Sequence, residues 1–187
     1  MGSIISKIIA FSLIILLSPI LIIISILILI DDGYPIFYIQ KNYGKNHVPF
    51  DLYKFRTMKK NTPEIPTEEF NQPEKYLLKT GKIIRKFSID ELPQFFNILQ
   101  NKINFIGPRP CMIGNEEVVR KLREKYGVHK VKPGITGWAQ VNGRDLNSYE
   151  KKVSLDHYYC KNKSIILDIK IVLKTFKVIL FPKHIKH

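Results

Sequence analysis

The sequence predicts an α+β fold: an apolar N-terminal helix, broken by a proline, leads into a small, mainly helical domain with one β-hairpin and amphipathic helices. Three observations predict it. Residues from Ile8 to Ile30 are uncharged and predominantly apolar, with Ser18-Pro19 near the middle. Tyr34 to Met58 reads as two strands around a turn-forming Asn42-Tyr43-Gly44-Lys45-Asn46. Most of the remainder places apolar residues at helical spacing between Pro- and Gly-rich breaks.

The apolar run comes first. At ~1.5 Å per residue, a straight helix over it extends ~34 Å, enough to cross a bilayer. Pro19 removes one i→i−4 hydrogen bond and its ring crowds the preceding turn, so a break at mid-depth is predicted. No Ala-x-Ala-like site follows before Asp31-Asp32, which favours a membrane helix over a cleaved signal peptide. The chain is accordingly divided into a membrane helix, residues 1–32, and one globular domain, residues 33–187.

Lys7 is the only charged side chain before Asp31, so nearly all of the formal net charge of +14 belongs to the domain. Positive charge stays on the cytoplasmic side, which places the domain there. Cys111 and Cys160 do not suggest a disulfide framework and agree with a reducing compartment. Strong basicity has three usual partners: nucleic acid, anionic lipid or phosphorylated small molecules. A membrane anchor favours the last two. There is no nucleic-acid-binding motif beyond charge, no Walker A run and no G-x-G-x-x-G.

Along the domain, Ile36 to Ile39 and Val48 to Phe55 are the predicted strands. Lys59 to Glu74, with three prolines and several acids, reads as a surface loop. Helical spacing runs from Leu77 to Phe87 and from Ser88 to Gln100, then stops at Gly107-Pro108-Arg109-Pro110. Asn115 to Tyr126 is a charged amphipathic helix, Lys132 to Trp138 is rich in turn formers, and Tyr149 to Tyr159 is helical. Ile165 to Leu180 is a final amphipathic helix carrying Lys170, Lys174 and Lys177. It reads equally as a helix lying in a membrane interface and as a core helix with a wet edge.

Ser88-Ile89-Asp90-Glu91-Leu92-Pro93 is the sharpest local constellation. Ser88 and Glu91 fit a capping box, while a cap at Asp90 seats Pro93 more comfortably in a first turn. On either frame Asp90 lies near a positive helix terminus, which favours the carboxylate and attracts phosphate. Adjacent acids among basic residues also suit a nucleophile with a metal ligand or base. Arg109 stands between two prolines in a stiff loop, either as a diphosphate clamp or as the partner of a nearby carboxylate. Lys54 and Arg56 share one strand face, and Arg85 precedes the acids by one helical stretch. His157 with Cys160, and His184 with His187, lack the partners of a closed zinc site. A cysteine nucleophile at Cys111 or Cys160 has only its residue type in support.

Four segments then coincide in order: Lys54-Phe55-Arg56-Thr57-Met58, Ser88-Ile89-Asp90-Glu91-Leu92-Pro93-Gln94, Gly107-Pro108-Arg109-Pro110, and Lys132-Pro133-Gly134-Ile135-Thr136-Gly137-Trp138 continuing to Arg144. Together with the proline-containing N-terminal helix they resemble the bacterial sugar transferases, specifically the small monotopic phosphoglycosyl transferases. The likeness covers almost the whole chain. One departure is Thr57, where serine is common; the hydroxyl is kept.

The resemblance implies transfer of a sugar-1-phosphate from a UDP-sugar to undecaprenyl phosphate, with release of UMP and a requirement for Mg²⁺. It implies that Asp90 is the nucleophile, forming a phosphosugar–aspartyl intermediate, with Glu91 as metal ligand or acid–base partner and Asp90 and Glu91 as the expected metal site. Lys54, Arg56, Arg85, Arg109 and Arg144 are expected around the phosphates, with Asp156 on the polar rim. The helix broken at Ser18-Pro19 is expected to be re-entrant, leaving the inner membrane by the leaflet it entered. Overall likeness to the smallest members, which serve protein glycosylation, points to UDP-diacetylbacillosamine as donor. The rival expectation is a non-catalytic, membrane-anchored adaptor whose basic surface binds anionic lipid or nucleic acid.

Overall fold

A computed structural model describes residues 2–62, 73–114, 116–142 and 148–180. Most of the loop expected from Lys59 to Glu74, the candidate Arg144, and His184 and His187 lie outside the described residues.

Helix α1 spans Gly2–Asp32 with Pro19 inside it, so the predicted break does not interrupt the helix. The physical reason is local. Pro19 has no N–H to give the Ile15 carbonyl, and the Ser18 hydroxyl donates to that oxygen instead at 2.8 Å. The side chain replaces the missing backbone donor. Ala10 is buried against Phe50, Leu52, Ile98 and Ile103, whereas Ile24 and Ile28 are buried with Phe55, Leu78 and Ile84. Ala10 and Ile28 are ~27 Å apart along the axis, so the helix lies along the domain rather than touching it at one end. Ile8, Ile15, Leu16, Ile22, Ile23 and Ile30 face outward, exposed.

The hairpin forms as expected, with a first arm that runs on to Tyr43 and a second that starts one residue later, at Pro49. Strands β1 (Phe37–Tyr43) and β2 (Pro49–Phe55) are antiparallel, with Phe37 opposite Phe55 and Tyr43 opposite Pro49. The turn tightens to Lys45–His47, where Asn46 and His47 both take left-handed backbone angles, φ 55° and 60°. Such angles are uncommon outside glycine, and Asn and His are among the residues that best tolerate them.

Strand β3 (Asn104–Ile106) and strand β4 (Cys111–Met112) flank Arg109. Strand β4 adds to the free edge of β1 through Tyr43 and Cys111, and β3 pairs in parallel with β5 (Gly134–Thr136). Sequence periodicity does not reveal strands of two or three residues.

The helices are α2 (Gly81–Lys86), α3 (Gln94–Leu99), α4 (Glu117–Lys125), α5 (Trp138–Val141), α6 (Tyr149–Asn162) and α7 (Ile165–Leu180). Helix α7 buries Leu167 and Ile171 with Tyr159, while Ile165, Ile166, Ile169, Leu173, Phe176 and Leu180 form an exposed apolar face. Lys170 and Lys174 lie over the Trp138 ring, 5.6 and 4.7 Å from its centroid. A core helix with a wet edge would turn its apolar face inward. This helix turns a narrow apolar stripe inward and leaves a wider one exposed.

Candidate active site

Asp90 and Glu91 sit on a 3-10 turn, Ile89–Glu91, between α2 and α3. Neither predicted capping frame forms. Ser88 takes a left-handed conformation, φ 54°, without a side-chain capping bond, and Pro93, not Asp90, immediately precedes α3. A left-handed non-glycine residue costs roughly 1–2 kcal/mol, and such strain concentrates where a chain must present side chains in a fixed direction. Helix α3 anchors the turn: Asn97, fully buried, receives the Tyr53 N–H at 3.0 Å and donates to the Asp51 carbonyl at 2.7 Å. Glu91 is buried, and Asp90 is half-buried beside it.

Arg109 meets this turn. Its Nη1 donates to Glu91 Oε1 at 3.0 Å, with the guanidinium one-third exposed and the carboxylate largely covered. Burial pulls the guanidinium down, but Glu91, then Glu116 and Asp90, more than offset this and the net shift is upward. Arg109 stays charged.

Its loop is held by close backbone packing. Gly107 N–H donates to the Thr136 carbonyl and Gly134 N–H to the Pro108 carbonyl, each at 2.9 Å. A Cβ on Gly134 or Gly137 would collide with the Gly107 backbone. These glycines let two chains meet at backbone distance. The two spaced motifs of the sequence are therefore one structural unit that aims Arg109.

Sequence reading missed Arg123. From α4 its Nη1 donates to the Arg109 carbonyl at 2.6 Å and its Nη2 to Asp156 Oδ2 at 2.7 Å. Asp156, on α6, is fully buried, so it stands beneath the site and not on its rim, a correction to the expectation. Burial pushes its carboxyl up, while Arg123 pulls it back. The only sequence signal was an arginine on the charged amphipathic helix, and nothing there marked which of its charges faces inward.

Of the other residues expected around the phosphates, Arg56 is engaged by the end of α1. Arg56 is 6% exposed and gives its fork to Asp32 Oδ2 at 2.7 Å and to the carbonyls of Asp32 and Gly33 at 3.2 and 2.5 Å. It ties the end of α1 to the sheet. Arg85 Nε donates to Thr57 Oγ1 at 2.9 Å, which gives the retained hydroxyl of Thr57 a partner. Lys54 lies half-buried on β2. Burial pushes the Cys111 thiol up to about 12 and the Cys160 thiol to about 11, so neither supplies a thiolate near neutrality.

Among the described residues, no three His, Cys, Asp or Glu side chains converge into a metal cage. The adjacent carboxylates of Asp90 and Glu91 are nonetheless the donor type that Mg²⁺ takes when water and phosphate oxygens complete its octahedron. The donor set fits such an ion.

A half-exposed acid beside a fixed, charged arginine, next to an apolar helix long enough to cross a bilayer, describes an enzyme acting on anionic groups at a membrane. The bacterial sugar transferase family model matches residues 2–182, and the chain belongs to that family. It is similar to an uncharacterized sugar transferase of Bacillus subtilis, EpsL, 43% identical over 82% of this chain and 74% of that one. It is also similar to the UDP-glucose:undecaprenyl-phosphate glucose-1-phosphate transferase of Escherichia coli, 38% identical over 87% of this chain and 36% of that protein. The UDP-N-acetylgalactosamine-undecaprenyl-phosphate N-acetylgalactosaminephosphotransferase of Aeromonas hydrophila is 37% identical over 88% of this chain and 40% of that protein. The chain thus spans well under half the length of these last two relatives.

Proposed function

We propose that this enzyme transfers a sugar-1-phosphate from a UDP-sugar to undecaprenyl phosphate and releases UMP, with Asp90 as the nucleophile. The observation that carries the reading is the Asp90–Glu91 turn set against Arg109 in a chain of this family. A carboxylate oxygen of Asp90 attacks the phosphorus that bears the sugar, and the bond to the bridging oxygen breaks, leaving with UMP. An oxygen of undecaprenyl phosphate then attacks the same phosphorus and frees the Asp90 carboxylate. The relay lets two mutually repelling phosphates bind in turn. Arg109 stabilises charge on the phosphoryl oxygens in both steps, and Glu91 fixes the direction of its fork. The Asp90 and Glu91 carboxylates would hold a Mg²⁺ ion, which when bound would supply charge neutralisation at the transferring group.

The membrane helix is read as re-entrant by bending at Pro19 without losing its helical course, with the domain on the cytoplasmic face. Support comes from Ala10 and Ile28, which both pack on the domain although ~27 Å apart along the helix. The exposed apolar face of α7 is read as lying in the same interface. Relatives named for glucose and N-acetylgalactosamine show that donors vary within the family. Diacetylbacillosamine, and with it a place in protein glycosylation, is the donor the sequence resemblance favours.

The test is UMP release with Mg²⁺ across a panel of UDP-sugars, followed by digestion of quenched enzyme. A phosphosugar adduct on the peptide holding Asp90 is expected, and Asp90→Asn is expected to lose transfer while remaining in the membrane fraction. Full activity of a verified Asp90→Asn preparation refutes the mechanism. No UMP from any donor, with salt-sensitive binding to anionic vesicles or nucleic acid, supports the adaptor instead.

A further inference from the structure

We infer that Arg123 is a positioning residue for transfer: seated on buried Asp156, it holds the Arg109 carbonyl and so fixes where the Arg109 fork sits over the acidic turn. The inference rests on the role proposed for Arg109 and goes further, because it makes catalysis depend on a side chain that acts through Arg109 and not on the Asp90–Glu91 pair directly.

The loop needs such support. Pro108 and Pro110 have no N–H, so two of the donors that normally secure a strand connection are missing. On one side the Gly134 N–H takes up the Pro108 carbonyl at 2.9 Å. On the other, the Arg109 carbonyl is met by Arg123 Nη1 at 2.6 Å. Arg109 is therefore gripped on both flanks of its backbone, one grip built from glycine packing and the other from a buried ion pair.

Stability is a poor explanation for that pair. Removing two charges from water is costly, and well-packed apolar residues commonly replace a buried ion pair without loss. Arg123 is 12% exposed and Asp156 1%. Arg123 Nε and Asp156 Oδ1 find no hydrogen-bond partner among the described residues, so the pair is not optimised as a stabilising network. What an apolar replacement could not do is donate to the Arg109 carbonyl. The geometry favours a directional task.

The experiment uses full-length enzyme in membranes or detergent and follows UMP release, adduct formation on Asp90 and Tm. In Arg123→Met/Asp156→Leu both charges leave together, and Tm is expected to hold while kcat falls roughly 10²-fold, the scale of a misplacement of about 1 Å. Introduced into Arg109→Ala, the same pair of changes is expected to cause less than about twofold further loss, since Arg123 acts through Arg109. A double variant with wild-type kcat overturns the inference, as does an equal loss in both backgrounds. Should the double variant not fold, Arg123→Lys decides. Lysine keeps the charge by Asp156 but cannot span both contacts; about tenfold lower kcat at unchanged Tm supports positioning, and wild-type kcat overturns it. Failure of the proposed function would look different: the wild-type enzyme itself would release no UMP and carry no adduct.

Discussion

Two arginine–carboxylate pairs in this molecule look alike on paper and are built in opposite ways. In Arg56–Asp32 the arginine is buried and the acid partly exposed, with side-chain exposures of 7% and 29%; in Arg109–Glu91 these are 31% and 10%. Arg56 also bonds two backbone carbonyls, so its fork is occupied by the end of α1. Among the described residues Arg109 gives one hydrogen bond, to Glu91. The burial order decides what each pair does. A covered arginine with an open acid is a fastening, whereas a covered acid with an open arginine leaves a cation accessible, which is the role proposed for Arg109.

The largest expected effect separates them directly. Arg109→Ala is expected to lower kcat for UMP release by about 10²–10³-fold, the usual range for removing one donor that stabilises transition-state charge. Its Tm is expected to stay near wild type, because the side chain is partly exposed. Loss of folding without loss of turnover per folded molecule would make Arg109 a fastening too.

Arg56→Ala is expected to do the converse. It removes a charged donor from one carboxylate and two carbonyls, on the order of 2 kcal/mol, or roughly 4–8 °C in Tm for a chain of this size. Thermal unfolding of the membrane-extracted protein measures it. An unchanged Tm with abolished UMP release would place Arg56 beside Arg109 and erase the contrast.

Gly137→Ala comes next. Its Cβ would run into the Gly107 backbone, which has no side chain to swing away. A strain of about 1–3 kcal/mol is expected, with kcat falling further than Tm accounts for, because the displaced strand carries the Arg109 loop. A purely thermal effect would show that the glycine packing holds the fold without aiming the arginine.

The sequence made some of this legible and some not. The apolar helix, the hairpin and the course of α7 follow from periodicity, which depends only on neighbouring residues. The acidic turn and the Arg109 loop were legible as motifs, but their capping chemistry was not. Ser88 adopts a left-handed angle that no spacing rule signals, and the acids stand on a turn of their own. Strand alternation gives the face of Arg56 but not its partner, and Asp32 reaches it from 24 residues away in sequence. The rule for proline predicts a break at Pro19 because it counts the lost bond and not the Ser18 hydroxyl that replaces it. Asp156 and Arg123 met only through the packing of α4 on α6. Long-range pairing was the missing information.

The smallest expected effect concerns the wall behind the Arg109 loop, where His47 stacks on His129 with ring centroids 4.9 Å apart. Burial, and then His129, hold His47 below its ordinary value of 6.5. The unfolded chain therefore binds this proton first. Stability from neutral His47 is present above pH 6.5 and is lost as pH falls through the depressed value in the folded protein. Tm measured from pH 7.5 down to 5 should decline more steeply in wild type than in His47→Gln. Asp156 does not account for that slope. Its raised carboxyl contributes stability at low pH that is lost as pH rises, the opposite sign. Arg109 stays charged throughout, so kcat corrected for folded fraction should change equally in wild type and His47→Gln. A slope that survives in His47→Gln would move the acid sensitivity to another group, and a variant-specific change in kcat would join this wall to the presented cation.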